Sequence, residues 1–320
     1  VIKFKEAIAW SLLWISLALS FFLLIRFHGD LIHGIDSPGK LQNIVLEYNH
    51  GIDIKTNPDF TANLETYRNN LSLEYITGYL IEYALSVDNV FVMLLILISF
   101  GVQEKYFHRI LFWGILSAIV MRFIFIFLSS AIIQQFEWVM YLFGGFLIFT
   151  GIKMFLSRKK ESKIDTQKHP VVKFASKYFP VYPKNVHKRF FIIKNKKLLF
   201  TPMFIVLLVI EFSDVVFAVD SVPAIFSVTK DPFIVFFSNI FAILGLRSLF
   251  FLVMNMFKYF HYLKDGLSIL LAFIGVKMVL ALSPFHVKID TALSLYVVLG
   301  ILVTSVLVSV LFPPKKIRAT

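Results

Sequence analysis

Eight stretches of this chain are apolar runs long enough, or nearly long enough, to cross a hydrocarbon core, at residues 7–27, 75–100, 110–133, 139–156, 198–226, 233–257, 267–282 and 292–312. No other feature constrains the fold as tightly. A spanning helix needs about 20 mostly apolar residues, because it rises only about 1.5 Å per residue across a core of about 30 Å. Inside a bilayer the backbone must satisfy its own hydrogen bonds, which leaves helices and closed barrels. Barrel strands alternate apolar and polar residues, and these runs do not. The first run lacks a small-residue cleavage site and is long for a signal-peptide core, so it too reads as a span. The fold class that follows is all-α membrane, a polytopic helical bundle of about eight transmembrane helices.

Composition narrows the function classes. Of 320 residues, 58% are hydrophobic and 16% are charged, against about 25% charged in soluble domains. That balance excludes an ordinary cytosolic enzyme, a disordered chain and a secreted disulfide scaffold. The chain has no Cys, which removes thiolate metal sites, thiol nucleophiles and disulfides. No metalloprotease, GxSxG or phosphate-loop motif is present, so an intramembrane enzyme has no support.

The net charge of +12 matters through its placement, since 13 of the 32 Lys and Arg lie between Arg158 and Lys197. With the N-terminus inside, 22 basic residues face the inner side and 6 the outer, while Arg122, Lys153, Arg247 and Lys277 lie in spans. The positive-inside rule then predicts cytoplasmic N- and C-termini and a cytoplasmic basic loop, with lipid headgroups rather than nucleic acid as its counterpart. The chain begins at Val1 rather than Met, which leaves an earlier helix open. The predicted organisation is an N-terminal span (1–27), an outer loop (28–73), a first three-helix unit (74–156), the basic loop (157–197), a second three-helix unit (198–282), and a last span with its tail (283–320). The outer loop carries Asp30, Asp36, Glu47, Asp53, Asp59 and Glu65 with His28, His33 and His50. It has no EF-hand or HxxxH spacing and reads as a solvated acidic loop.

The two three-helix units repeat one another. Residues 82–90 (EYALSVDNV) align with 214–222 (DVVFAVDSV), Arg122 aligns with Arg247, and 151–154 (GIKM) aligns with 275–278 (GVKM). The leading helices run in opposite directions, an inverted repeat of the kind that places transporter sites near the midplane. Five carboxylates lie in the spans: Glu82, Asp88, Glu211, Asp214 and Asp220. At mid-bilayer each ionised group costs about 2.5–3.5 kcal/mol on insertion scales, so these acids need partners or a wet cavity. The intramembrane bases Arg122, Arg247, Lys153 and Lys277 are the available charge partners, and the two lysines have the alternative of snorkelling to an interface. At 100° per residue, Glu82, Ser86 and Asn89 share one helix face, and Glu211, Asp214 and Ser221 share another. Asp88 and Asp220 fall off these stripes, and Pro223 is a candidate break beside Asp220. Carboxylate, amide and hydroxyl oxygens suit hard or borderline divalent cations such as Mn²⁺, Mg²⁺ or Ca²⁺.

The motifs 78–89 (GYLIEYALSVDN), 143–154 (FGGFLIFTGIKM), 211–224 (EFSDVVFAVDSVPA) and 239–247 (NIFAILGLR) resemble the TerC/Alx family of integral membrane proteins, over about Lys5 to Phe312. That family is related to LysE-type exporters, includes manganese exporters, and is named for a tellurium-resistance association. The resemblance implies a secondary transporter exporting divalent manganese by alternating access, most naturally in a bacterial inner membrane. It implies that the acids Glu82, Asp88, Glu211, Asp214 and Asp220 hold the ion, and the helix-face reading adds Asn89 and Ser221 to the expected metal ligands. Mn²⁺ is then a substrate rather than a resident cofactor, with a proton as the counter-ion. Family members usually have one more N-terminal helix, and the outer loop here is longer than expected. The competing implication is a non-transporting assembly or metal-loading factor, with the basic loop 158–197 as the dock for a protein partner. Arg122 and Arg247 occupy matching places, and each is expected to pair with a central carboxylate in at least one conformation.

Overall fold

A computed structural model describes residues 4–48, 52, 59–136, 138–157, 172, 180, 189–194, 197–256, 262–282, 289 and 291–311. The described elements are α1 (Phe4–His28), α2 (Asp30–His33), α3 (Pro38–Tyr48), α4 (Phe60–Ser99), a 3₁₀ turn (Glu104–Tyr106), α5 (Phe107–Gln135), α6 (Val139–Ser157), β1 (Phe191–Lys194), β2 (Lys197–Phe200), α7 (Pro202–Phe226), α8 (Pro232–Met256), α9 (Leu263–Leu282) and α10 (Thr291–Leu311). This is an all-α polytopic membrane protein. Among the described residues seven helices are long and apolar enough to span a membrane, rather than eight: α1, α4, α5, α6, α7, α8 and α10. The remaining expected span coincides with α9, a 20-residue helix that starts at Leu263 and carries Lys264, Asp265 and Lys277.

Most boundaries follow local chemistry. Thr201 caps α7 ahead of Pro202, which sits in the first turn where its missing N–H is no loss. The Thr201 hydroxyl also donates to the Arg189 carbonyl at 2.6 Å, tying the helix start to the preceding hairpin. That hairpin corrects the predicted start of the fifth span at 198. Residues 198–200 belong to β2, paired antiparallel with β1 in the register Phe191↔Phe200. Apart from positions 172, 180, 189–194 and 197, the basic loop lies outside the described residues.

The outer segment departs most from expectation. It is not simply a solvated loop: α2 and α3 form within it, and α4 begins at Phe60 rather than near 75. At 40 residues, α4 reaches about 60 Å at 1.5 Å per residue, twice the hydrocarbon thickness. The reason is an i, i+4 apolar ladder. Tyr67, Leu71 and Tyr75 on α4 join Leu41 and Val45 on α3, with Ile25 of α1 and Ile234 of α8, in one buried cluster. Several of the polar groups expected to be solvated serve as ties. The Arg68 Nε donates to Asp30 Oδ1 at 2.6 Å, and His33 stands 2.9 Å from the Tyr67 hydroxyl and 3.4 Å from Asp231. Asp231 in turn accepts from the Phe233 backbone N–H at 2.9 Å, capping α8.

Two contacts set the bundle. The α4 and α7 helices run antiparallel: Ile81 and Leu85 cluster with Ala218, Val222 and Ile225, whereas Val90, Met93 and Leu97 cluster with Met203, Val206 and Ile210. The α6 and α9 helices approach closely through glycine. A side-chain carbon at Gly151 would lie 2.7 Å from the Ser268 carbonyl and 2.9 Å from the Ala272 nitrogen. One at Gly275 would lie 2.7 Å from the Gly144 carbonyl and 2.8 Å from the Ile148 nitrogen. Small residues let membrane helices make such backbone contacts, where lipid provides no hydrophobic drive.

Candidate functional site

The buried charges gather where α4, α5, α7 and α8 meet. Arg122 of α5 is 1% exposed and Glu82 of α4 is fully buried. The Arg122 Nη1 donates to Glu82 Oε1 and to Asn239 Oδ1 of α8 at 2.6 Å. Its Nη2 lies 3.8 Å from Asp214 Oδ1 of α7. The Ser86 hydroxyl adds a long contact to Glu82 Oε1 at 3.5 Å. Asn239 is aimed by its own Nδ2, which donates to the Val235 carbonyl at 2.8 Å and so turns Oδ1 toward the guanidinium. One turn before Asp214, Glu211 is half-buried and accepts from the Ser117 hydroxyl of α5.

Charge and unused valence define what this centre can do. Two carboxylates share one guanidinium in a buried volume, a formal charge of −1 for these three side chains when both acids are ionised. One oxygen of each acid, Glu82 Oε2 and Asp214 Oδ2, is buried without a hydrogen-bond partner, as are Asn89 Nδ2 and Ser221 Oγ. Buried polar atoms are nearly always satisfied, and an unpaired one costs about 1–3 kcal/mol. Asn89 and Ser221 each lie seven residues beyond the acid on their helix, about 10.5 Å along it. Since the helices are antiparallel, the two polar stripes extend from the Arg122 layer in opposite directions. Among the described residues no three His, Asp or Glu side chains converge as a ready metal cage.

Of the residues singled out by sequence, Glu82, Asp214 and Arg122 are brought together, with Glu211 one turn away. Asn89 and Ser221 are buried on the same two helices. Asp88 and Asp220 lie on α4 and α7, but their side chains fall outside what is described. The predicted charge partners diverge. Lys153 is exposed, with its ammonium 5.9 Å from the Phe149 ring centre, and Lys277 is buried on α9. Arg247 faces a cavity between α1, α5 and α8, and among the described residues no carboxylate pairs with it. Sequence reasoning missed Asn239 and Ser117 as site residues. Asn239 did carry a signal, an amide inside an otherwise apolar run, whereas Ser117 is one of many serines in spans.

A bundle of apolar helices closed around a desolvated, net-negative charge cluster defines a polytopic membrane protein with an internal polar centre. The description "Integral membrane protein TerC family" matches residues 67–316, and the chain belongs to that family. It is 43% identical over 311 residues to "Uncharacterized membrane protein STKORF319" of Myxococcus xanthus, covering 97% of this chain and 84% of that one. It is 40% identical over 310 residues to "Putative membrane-bound redox modulator Alx" of Escherichia coli (strain K12), covering 95% and 84%. A Rickettsia bellii membrane protein is 42% identical over 238 residues, covering 74% and 77%. No solved structure matches the chain significantly.

Proposed function

We propose that this protein is a secondary transporter, not an enzyme, that moves divalent manganese through the Arg122 centre by alternating access. The observation that carries the reading is the pair of buried, unpartnered carboxylate oxygens, Glu82 Oε2 and Asp214 Oδ2, on either side of one guanidinium. Arg122 acts there as a built-in surrogate cation between the two acids while the ion is absent. An arriving divalent ion adds two charges where one excess negative charge stands, so it competes with the guanidinium for the same oxygens. At about 4 Å a unit charge pair is worth roughly 4 kcal/mol at an effective dielectric of 20, enough to bias a two-state carrier. The donors are oxygens, which favours Mn²⁺ and its hard neighbours over Zn²⁺ or Cu⁺.

Asp88 and Asp220, six residues beyond Glu82 and Asp214, complete the donor set in this reading, and protons taken up by the vacated acids are the return cargo. Export, rather than uptake, rests on family resemblance. The basic asymmetry of the loops supports a cytoplasmic C-terminus in a bacterial inner membrane. The redox wording attached to the Alx relatives does not lead to thiol chemistry here, because the chain has no Cys.

The test is Mn²⁺ flux into sealed proteoliposomes carrying the purified full chain. Wild type should move Mn²⁺ above empty vesicles, and Glu82→Gln, Asp214→Asn, Asp88→Asn and Asp220→Asn should each lower the rate at least about tenfold while melting as folded proteins. Folded wild type that moves no divalent cation, or flux unchanged in the Asp88→Asn and Asp220→Asn proteins, would overturn the reading.

A further inference from the structure

Arg247 stands apart from the charge cluster. It lines a cavity of about 450 Å³ with Trp10 and Trp14 of α1, Phe112 and Leu116 of α5, and Ser248 of α8. Apart from Arg247 and Ser248 the wall is apolar, and the Ser248 hydroxyl is committed to the Gly245 carbonyl at 2.8 Å. The guanidinium is therefore the one charge in the wall, and its Nε is buried without a hydrogen-bond partner. Volumes of about 300–1,000 Å³ are typical of small-molecule sites.

The cavity has a side and a mouth. It is built from the N-terminal halves of α1 and α5 and the C-terminal half of α8, the end of the bundle where the helix starts carry Lys5, Lys105 and Arg109 beside Glu6 and Glu104. His108 is within electrostatic reach of Arg247. Trp10 and Phe112 are each 51% exposed and Leu116 is 46% exposed, so the opening faces the surrounding lipid rather than the bundle interior. An always-charged arginine in a mostly apolar wall calls for an anion. Apolar and indole surface leading to the bilayer calls for that anion to carry a hydrocarbon chain. Basic pockets between spanning helices near the positive side are suited to such headgroups.

We infer that this cavity binds an anionic phospholipid from the leaflet at the basic ends of α1 and α5, with its phosphate on Arg247 and an acyl chain along Trp10, Phe112 and Leu116. Arg247 then serves as a lipid anchor in this conformation, while its repeat counterpart Arg122 serves the buried acids. The inference is independent of what the central site carries.

The experiment uses the full chain purified in a neutral detergent. Native mass spectrometry and thermal melts follow additions of phosphatidylglycerol, phosphatidylcholine or inorganic phosphate. Wild type should hold phosphatidylglycerol about tenfold more tightly than phosphatidylcholine, the scale of a charge-assisted contact. Arg247→Gln should abolish that preference, Arg247→Lys should keep most of it, and Leu116→Trp, which fills the cavity with Arg247 intact, should abolish it. Should Arg247→Gln fail to fold, the contrast between Arg247→Lys and Leu116→Trp decides. The proposal is overturned if Leu116→Trp or folded Arg247→Gln keeps the wild-type preference. It is equally overturned if phosphatidylcholine binds as well as phosphatidylglycerol, or if inorganic phosphate alone reproduces the effect.

Discussion

Replacing Arg122 with Gln asks how much of the bundle rests on one buried positive charge. Arg122 and Glu82 are 1% and 0% exposed, so no simple rotamer change returns either to water. Without the guanidinium, Glu82 Oε1 keeps only the Ser86 hydroxyl at 3.5 Å, at the weak limit of a hydrogen bond. Asn239 Oδ1 loses its 2.6 Å donor, and Asp214 loses its ion pair. Truncating one member of a buried pair costs about 3–5 kcal/mol, mostly because the survivor is left charged and dry. A Gln amide can restore one neutral bond worth about 1 kcal/mol, which puts Arg122→Gln near the lower end. Glu82→Gln is milder, since Arg122 keeps Asp214 and Asn239. The double variant removes the Arg122–Glu82 pair and leaves Asp214 alone, and its loss should fall short of the summed single losses by about 1.5–3 kcal/mol. Thermal or denaturant melts of the four proteins in one detergent measure this cycle. The expected order of stability is wild type, then the double variant, then Arg122→Gln. Arg122→Gln melting with wild type, or strict additivity of the two changes, would refute the reasoning.

Gly275→Val places a side chain 2.7–2.8 Å from backbone atoms of α6, which cannot swing aside. It should cost more than the roughly 1–3 kcal/mol of ordinary overpacking and expose the α6–α9 contact to protease, whereas Gly145→Ala, with open space around it, should melt like wild type or slightly higher. Acid sensitivity should trace to the outer cap. Hydrogen bonding to Arg68 holds the Asp30 carboxyl below its ordinary value despite some burial. A depressed carboxylate contributes stability that is present above its unfolded value, near 3.9, and lost as pH falls through the lower folded value. Melting midpoints measured from pH 7 to pH 3 should therefore fall more steeply below about pH 4 in wild type than in Asp30→Asn. Parallel curves would remove Asp30 from the explanation.

Much of the architecture was legible because bilayer physics leaves few choices. Once a run such as 110–133 is apolar without alternation, only a helix satisfies its backbone, and α5 occupies Phe107–Gln135. The centre was legible for a related reason. Glu82, Arg122 and Asp214 are too expensive to bury singly, so their presence in spans required company. What stayed hidden were interactions whose signal is shared by ordinary residues. Tyr67 and Leu71 look like scattered apolar residues of a polar loop until α3 is folded onto them, so more than the first third of α4, residues 60–74, read as outside the span. Asn239 opens the 239–247 motif with no sign in the sequence of its role, whereas its geometry makes it a direct partner of Arg122. The start of α7 was displaced by four residues because Leu198, Leu199 and Phe200 fit a strand as well as a helix, and only Thr201 with Pro202 marks the boundary.

The two halves agree in one place and differ in another, and the difference is informative. At α6 and α9 the contacts are reciprocal: Ser268 and Ala272 stand to Gly151 as Gly144 and Ile148 stand to Gly275, and each pair is one helical turn apart. This is the geometry that an antiparallel pair of equivalent helices produces. At the arginines the reciprocity fails. Arg122 reaches across to acids on α4 and α7, while Arg247, in the aligned place, lines a cavity with α1 and α5. The neighbours differ: α1 supplies Trp10 and Trp14 to the Arg247 wall. Among the described residues Arg122 is the one guanidinium that reaches Glu82 and Asp214. In the transport reading proposed above, it is this asymmetry of the arginines, more than the acids themselves, that would leave room for a cation at the centre.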